Sequence, residues 1–110
     1  MNGVRRFLIA SDHGISIQSP NAVADAVGAS LGRGLILAER DLGLSFFDLG
    51  SGLAGELIQK FVNYRVRVAI VIATSDAYGE RFAELFYEHA THPTVRFVRP
   101  VGEALVWMNT

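Results

Sequence analysis

A chain of 110 residues without a cysteine is long enough to bury one core, and it can make neither disulfides nor thiolate chemistry. That composition points away from a stapled, secreted scaffold and toward the cytoplasm. Ten Lys and Arg against eleven Asp and Glu, with no block of either sign, leave no basic surface for nucleic acid. Half of the residues are hydrophobic and the mean hydropathy is +0.28, yet no apolar run approaches the ~18 to 20 residues of a membrane span. The apolar stretch Phe7 to Ala10 is too short for the centre of an export signal. The apolar excess is expected to be buried against a partner.

In chain order, Arg5 to Ala10 is a β-prone run, Ser11-Asp12-His13-Gly14 a turn cluster and Ile15-Ser16-Ile17-Gln18 an alternating run. This pattern predicts an N-terminal antiparallel hairpin. Ser19-Pro20-Asn21 signals a helix start, and Ala22, Val23, Ala26, Val27 and Leu31 supply its weak apolar stripe. Leu35-Ile36-Leu37-Ala38, between Gly34 and Glu39-Arg40-Asp41, reads as an inner strand, with residues 41–46 as loop.

The next stretch organises the rest. Leu53, Leu57, Ile58, Phe61 and Val62 recur at helical spacing with Glu56, Gln59 and Lys60 between them. Ser51 is placed to cap this helix, Gly50 and Gly52 to turn the chain into it, and Asn63 to end it. Val66 to Ala73 is an almost unbroken β-prone run, the pattern of a strand buried on both faces. Thr74-Ser75-Asp76 then opens a helix with apolar positions at Tyr78, Phe82, Leu85, Phe86 and His89, which His92-Pro93 ends. Thr94 to Val98 alternates as a last strand, and Glu103 to Met108 makes a short terminal helix. The order ββαβαβαβα predicts one α/β domain over residues 1–110, with a mixed, mostly parallel sheet.

Candidate chemistry is sparse. Gly50-Ser51-Gly52-Leu53-Ala54-Gly55 matches G-x-G-x-x-G and opens a helix, but Leu44 to Asp48 makes a poor preceding strand for a dinucleotide fingerprint. Nucleotide or phosphorylated-metabolite binding at this turn, with Asp76 as a ribose ligand, stays open as an alternative, because a helix N-terminus accepts anions readily. Ser51 lacks the glycine pattern of a hydrolase nucleophile, since Leu49 stands at the first position. His89 and His92 are three apart beside Glu88, but Pro93 breaks the helix that a metal site would need, and His13 falls in the expected turn. Glu39 and Asp48 follow strand-like or turn segments at the end where open α/β sheets place ligands. No acid, base and nucleophile stand together, so a non-enzymatic, partner-binding module without cofactor or metal is expected, with a homodimer as its assembly.

Glu39, Leu42, Phe46-Phe47-Asp48-Leu49, Gly52-Leu53-Ala54-Gly55-Glu56, Gln59-Lys60-Phe61 and Asn63-Tyr64-Arg65-Val66 resemble the bacterial family called domain of unknown function 4180. Phe82, Tyr87-Glu88, Val95, Phe97-Val98 and the stretch Ile9 to Asp12 extend the resemblance over most of the chain. It implies a cytoplasmic bacterial protein and supplies no activity. Gly50-Ser51 stands where that family usually has a lysine and a threonine. A more distant resemblance concerns Phe47-Asp48 followed by Ser51-Gly52-Leu53 at a helix start, then a buried strand. This is similar to the phosphorylatable segment of STAS domains in anti-sigma factor antagonists, and it implies a STAS-like fold and a regulatory role. Ser51 and Gly52, with Asp48 and Glu39 expected nearby, are the candidate partner- or anion-binding residues.

Overall fold

Four short aliphatic stretches pair into one sheet in the computed structural model, which describes residues 6–110. They are β1 (Leu8–Ile9), β2 (Leu35–Ala38), β3 (Val68–Val71) and β4 (Val95–Val98), all parallel and in the spatial order β1-β2-β3-β4. The register sets Leu8 beside Leu35, Leu35 beside Val68 and Val68 beside Val95. Because side chains alternate across a strand, Leu8, Leu35, Leu37, Val68, Ile70, Val95 and Phe97 enter one core, and Ile9, Ile36, Ala69, Val71 and Val98 the other.

Among the described residues five helices cover the sheet: α1 (Pro20–Ser30), α2 (Leu44–Phe47), α3 (Leu53–Asn63), α4 (Glu80–Glu88) and α5 (Val101–Met108). Each strand-to-strand step moves one place in the same direction, and crossovers of one hand then carry the connecting helices to one face. Val23 and Val27 of α1, Leu57 and Phe61 of α3 and Phe82 and Phe86 of α4 accordingly share the larger core. No strand follows α5, which returns over the opposite face and seats Ala104, Trp107 and Met108 on Ile36, Ala69 and Val98.

Several expectations are corrected. No hairpin forms among the described residues, and the sheet is parallel throughout rather than mixed. Leu8 and Ile9 pair in parallel with β2, and Ala10–His13 is a 3-10 turn closed by Gly14 at φ 65°. Arg5, where the expected first strand began, lies outside the described residues. The alternation of Ile15 and Ile17 arises from burial under the core: Ile17 makes a lone parallel bridge to Leu42, giving its N–H to the Asp41 carbonyl and taking that of Gly43. The order is therefore βαβααβαβα. Within residues 41–46, α2 begins as a single turn because Phe46 is drawn fully into the core. The helix expected after Thr74 is divided, a 3-10 turn over Ser75–Tyr78 being separated from α4 by Gly79 at φ 95°. At the end of α3 the left-handed residue is Arg65 at φ 56°, not Asn63. Val66 gives its N–H to Phe61 and Arg65 to Val62, and burial of Val66 with Phe61 pulls the chain into that closure.

The free edge of β4 is closed by the preceding loop. His92 Nδ1 accepts the N–H groups of Thr94 at 3.0 Å and Val95 at 3.1 Å, and Phe97 gives its N–H to the His89 carbonyl. An imidazolium carries a proton on Nδ1 and cannot accept these bonds. Burial, His89 and Arg96 together hold His92 below the ordinary value of 6.5. As pH falls through 6.5 the unfolded chain takes up the proton first, so this contribution is complete above 6.5 and is lost as pH drops through the folded-state value. Urea midpoints should therefore fall between neutral and mildly acidic pH more steeply for the wild type than for His92→Asn, whose amide oxygen accepts without titrating. Parallel curves for the two proteins would remove His92 as the cause.

Candidate functional site

The carboxyl ends of β2 and β3 lie side by side, and the residues leaving them meet. β2 runs into a 3-10 turn over Glu39–Asp41. The Asp41 carboxylate, 8% exposed, accepts the Ala38 N–H at 2.8 Å and locks that turn. Glu39 is thereby directed at the end of β3, where its carboxylate accepts from the Thr74 hydroxyl at 2.5 Å, from the Thr74 N–H at 3.5 Å and from the Tyr78 hydroxyl. Burial pushes the Glu39 pKa up, but the bonds from Thr74 and Tyr78 outweigh it and the net direction is down. The bond to Glu39, with burial, pushes the Tyr78 phenol up. A carboxylate held ionised and a phenol held protonated form a fixed polar contact, not a pair poised to exchange a proton at neutral pH.

The Tyr78 ring stacks on Phe47, with centroids 3.7 Å apart and planes within 10°. This brings α2 and its exit to the Glu39 network. Residues 47–50 face residues 78–82 across a pocket of about 260 Å³. Asp48 lies at its rim, exposed, and accepts the Gly50 N–H at 3.0 Å in a tight turn. Glu39 and Asp48 are thus connected through the Tyr78–Phe47 stack.

Ser51 and Gly52 face elsewhere. Ser51 ends a 3-10 turn over Leu49–Ser51, and the first cap of α3 is Gly52, at φ 80°. Ser51 is therefore not the N-cap itself, because a left-handed residue intervenes. Its hydroxyl still accepts the Leu53 N–H at 3.2 Å and donates to the Ser45 carbonyl at 2.6 Å, clasping α3 to α2. With Gln18, Ser19 and Glu56 these residues line a second groove, of about 470 Å³.

The glycine pattern lacks the geometry of a dinucleotide turn. A helical turn, α2, precedes it in place of a strand, the Gly50 N–H is already given to Asp48, and a side chain at Gly55 would meet open space. The rings of His89 and His92 are 5.2 Å apart, but Nδ1 of His92 is used by the backbone and Nδ1 of His89 lies 3.0 Å from the Leu85 carbonyl. Among the described residues no group of three or more His, Asp or Glu is placed to hold a metal ion. His13 is exposed in its 3-10 turn. No helix among the described residues is long and apolar enough to cross a membrane.

Thr74 and Tyr78 carry no signal of a site in their sequence context, and Phe47 enters there only through the two resemblances. Tyr78 has the spacing of a buried helical residue, and only adjacency of β2 and β3 makes it a partner for Glu39. A hydroxyl residue and a tyrosine just beyond a strand's carboxyl end are the signal that could have found them.

A family model described as a domain of unknown function (DUF4180) matches residues 2–108. No curated protein and no solved structure matches the chain.

Proposed function

The chain belongs to the family of the domain of unknown function DUF4180, whose description assigns no activity, and from the geometry we propose a non-enzymatic, STAS-like regulatory module. It binds a protein partner that spans both sides of the Leu49–Ser51 turn, Asp48 with the Glu39 network on one and Ser51 with Gly52 on the other, and a phosphoryl group on Ser51 switches that contact. The observation that supports this reading is the Ser51 clasp, an exposed hydroxyl that donates to the Ser45 carbonyl while accepting from the first turn of α3.

In the modifying step Ser51 Oγ bonds to the γ-phosphorus of a nucleoside triphosphate held by a partner kinase. The bond to the β-phosphate oxygen breaks, the nucleoside diphosphate leaves and the hydroxyl proton passes to the kinase's base. The resulting ester oxygen has no hydrogen to give Ser45, so the clasp opens. The added charge is favoured by the α3 dipole, but it stands beside Asp48 and repels an acidic or apolar partner. Release of α2 also moves Leu44, 89% exposed, and the Phe47 ring stacked on Tyr78.

The same reading includes self-association, supported by Leu31 and Tyr64, which are more than half exposed and line one groove between α1 and α3. Ser51→Ala should cost about 1 kcal/mol, because water can replace the lost bonds at this exposed turn. Ser51→Asp should stay folded, since its carboxylate can still accept from Leu53. Light scattering of the wild type should give twice the 12.0 kDa chain mass, and capture from host lysate should retain a partner that Ser51→Asp loses. Identical partner sets for the two proteins would leave Ser51 as a helix-capping residue, and a monomer mass would remove self-association.

A further inference from the structure

On the face covered by α5, two arginines flank the chain's single tryptophan. Arg67 precedes β3 and Arg96 lies in β4, and strand alternation sets both on the side of Ala69 and Val98. Their guanidinium carbons stand 5.2 Å and 4.6 Å from the Trp107 ring centroid. Around them opens a groove of about 840 Å³, walled by Trp107, Val98 and Val106, with Glu103 and Thr110 among its polar members. That volume falls within the usual range for a small-molecule site, as does an apolar lining with a few convergent polar groups.

The arginines are positioned by backbone rather than by acids. Arg67 Nη1 donates to the Trp107 carbonyl at 3.1 Å and to the Thr110 hydroxyl at 3.4 Å, and Arg96 Nε donates to the His92 carbonyl at 2.8 Å, with Nη2 reaching the Thr91 carbonyl at 3.4 Å. Among the described residues the ion pair is Lys60 with Glu56, at 4.0 Å, and neither groove arginine has a carboxylate within that reach. Glu103 lines the same groove but pairs with neither arginine, so the remaining N–H groups of both forks are left for another acceptor, and an anion there would relieve the two like charges.

We infer that this groove binds a small planar anion, a conjugated or aromatic ring bearing a carboxylate or phosphate. The ring lies against Trp107, Val98 and the exposed Val106, and the oxyanion takes the free N–H groups of Arg96 and Arg67. This site lies along β4 on the face covered by α5, whereas the Glu39 network gathers at the carboxyl ends of β2 and β3 beside the helices of the other face, and it does not depend on the Ser51 reading.

Because Trp107 is the only tryptophan, its emission reports the site directly. Benzoate and phenyl phosphate are the probes, with benzamide as the ring without charge and inorganic phosphate as the charge without ring. A saturable change with at least one charged ring is expected below ~10 mM, where even a complex of about 1 mM would be nearly full. Arg96→Met should weaken it by about tenfold or more through loss of the fork. Val106→Glu, a change at a 69% exposed position with little consequence for folding, should weaken it similarly by placing a negative charge at the mouth. Benzamide or phosphate matching the charged rings, affinity unchanged in Val106→Glu, or no saturable response to either charged ring would each overturn the assignment.

Discussion

Phe82→Ala is expected to lower the unfolding free energy by about 3 to 5 kcal/mol, a large part of the 5 to 15 kcal/mol typical of a small domain. Phe82 is 1% exposed and sits among Phe47 at 5.2 Å, Tyr78 at 5.6 Å, Phe97 at 5.8 Å and Phe46 at 6.4 Å. Those rings come from α2, the turn after β3, and β4, so truncation opens a void where four segments meet. Neighbours drawn from separate segments cannot all collapse into it. Urea unfolding would check the value, and a cost under about 1 kcal/mol would show that the cluster repacks. The change should also reach the Glu39 network, because the Phe47–Tyr78 stack leans edge-on against Phe82.

Asp41→Ala should cost about 1 to 3 kcal/mol, since it leaves the Ala38 N–H at the end of β2 without its acceptor. Asp41→Asn keeps an oxygen that can accept and should cost much less. Hydrogen exchange at the Ala38 amide separates the two: it should become fast in the alanine variant and remain slow in the asparagine variant. Equal protection in both would mean that the turn is held by the backbone bonds around Ile17, Asp41 and Gly43 instead.

The elements most legible from the residues were those in which burial and boundary signals coincide. Leu35 to Ala38 is apolar on both faces and flanked by Gly34 and Glu39, and it forms β2 over those same four residues. Ser19 accepts from Ala22 ahead of Pro20 and caps α1 as its chemistry predicts. The run Val66 to Ala73 overshot β3, because Val66 is taken by the closure of α3 and β-branching does not tell where pairing stops. Ile15 and Ile17 alternate like a strand, yet the partner of Ile17 is Leu42 across a helix, a contact that no local pattern encodes. The left-handed Arg65 was hidden for a related reason: tertiary burial of Val66 imposes a conformation that the arginine itself does not favour. In the candidate site, Glu39 and Asp48 could be placed toward the carboxyl end of the sheet, whereas Thr74 and Tyr78 become partners only when β2 and β3 are known to be neighbours.

Among the described residues α5 is the one helix on the second face of the sheet, with consequences for synthesis. Strands β2 to β4 each pair with their predecessor, so the sheet and the α1, α3, α4 side can assemble as the chain emerges. The opposite face, with Ile36, Ala69 and Val98, lacks its helix until residues 101–108 have cleared the ribosome. Nascent chains arrested before Val101 would present an apolar parallel sheet with one side lacking its helix. Such truncated products are therefore the species most in need of a chaperone, and the first to aggregate without one.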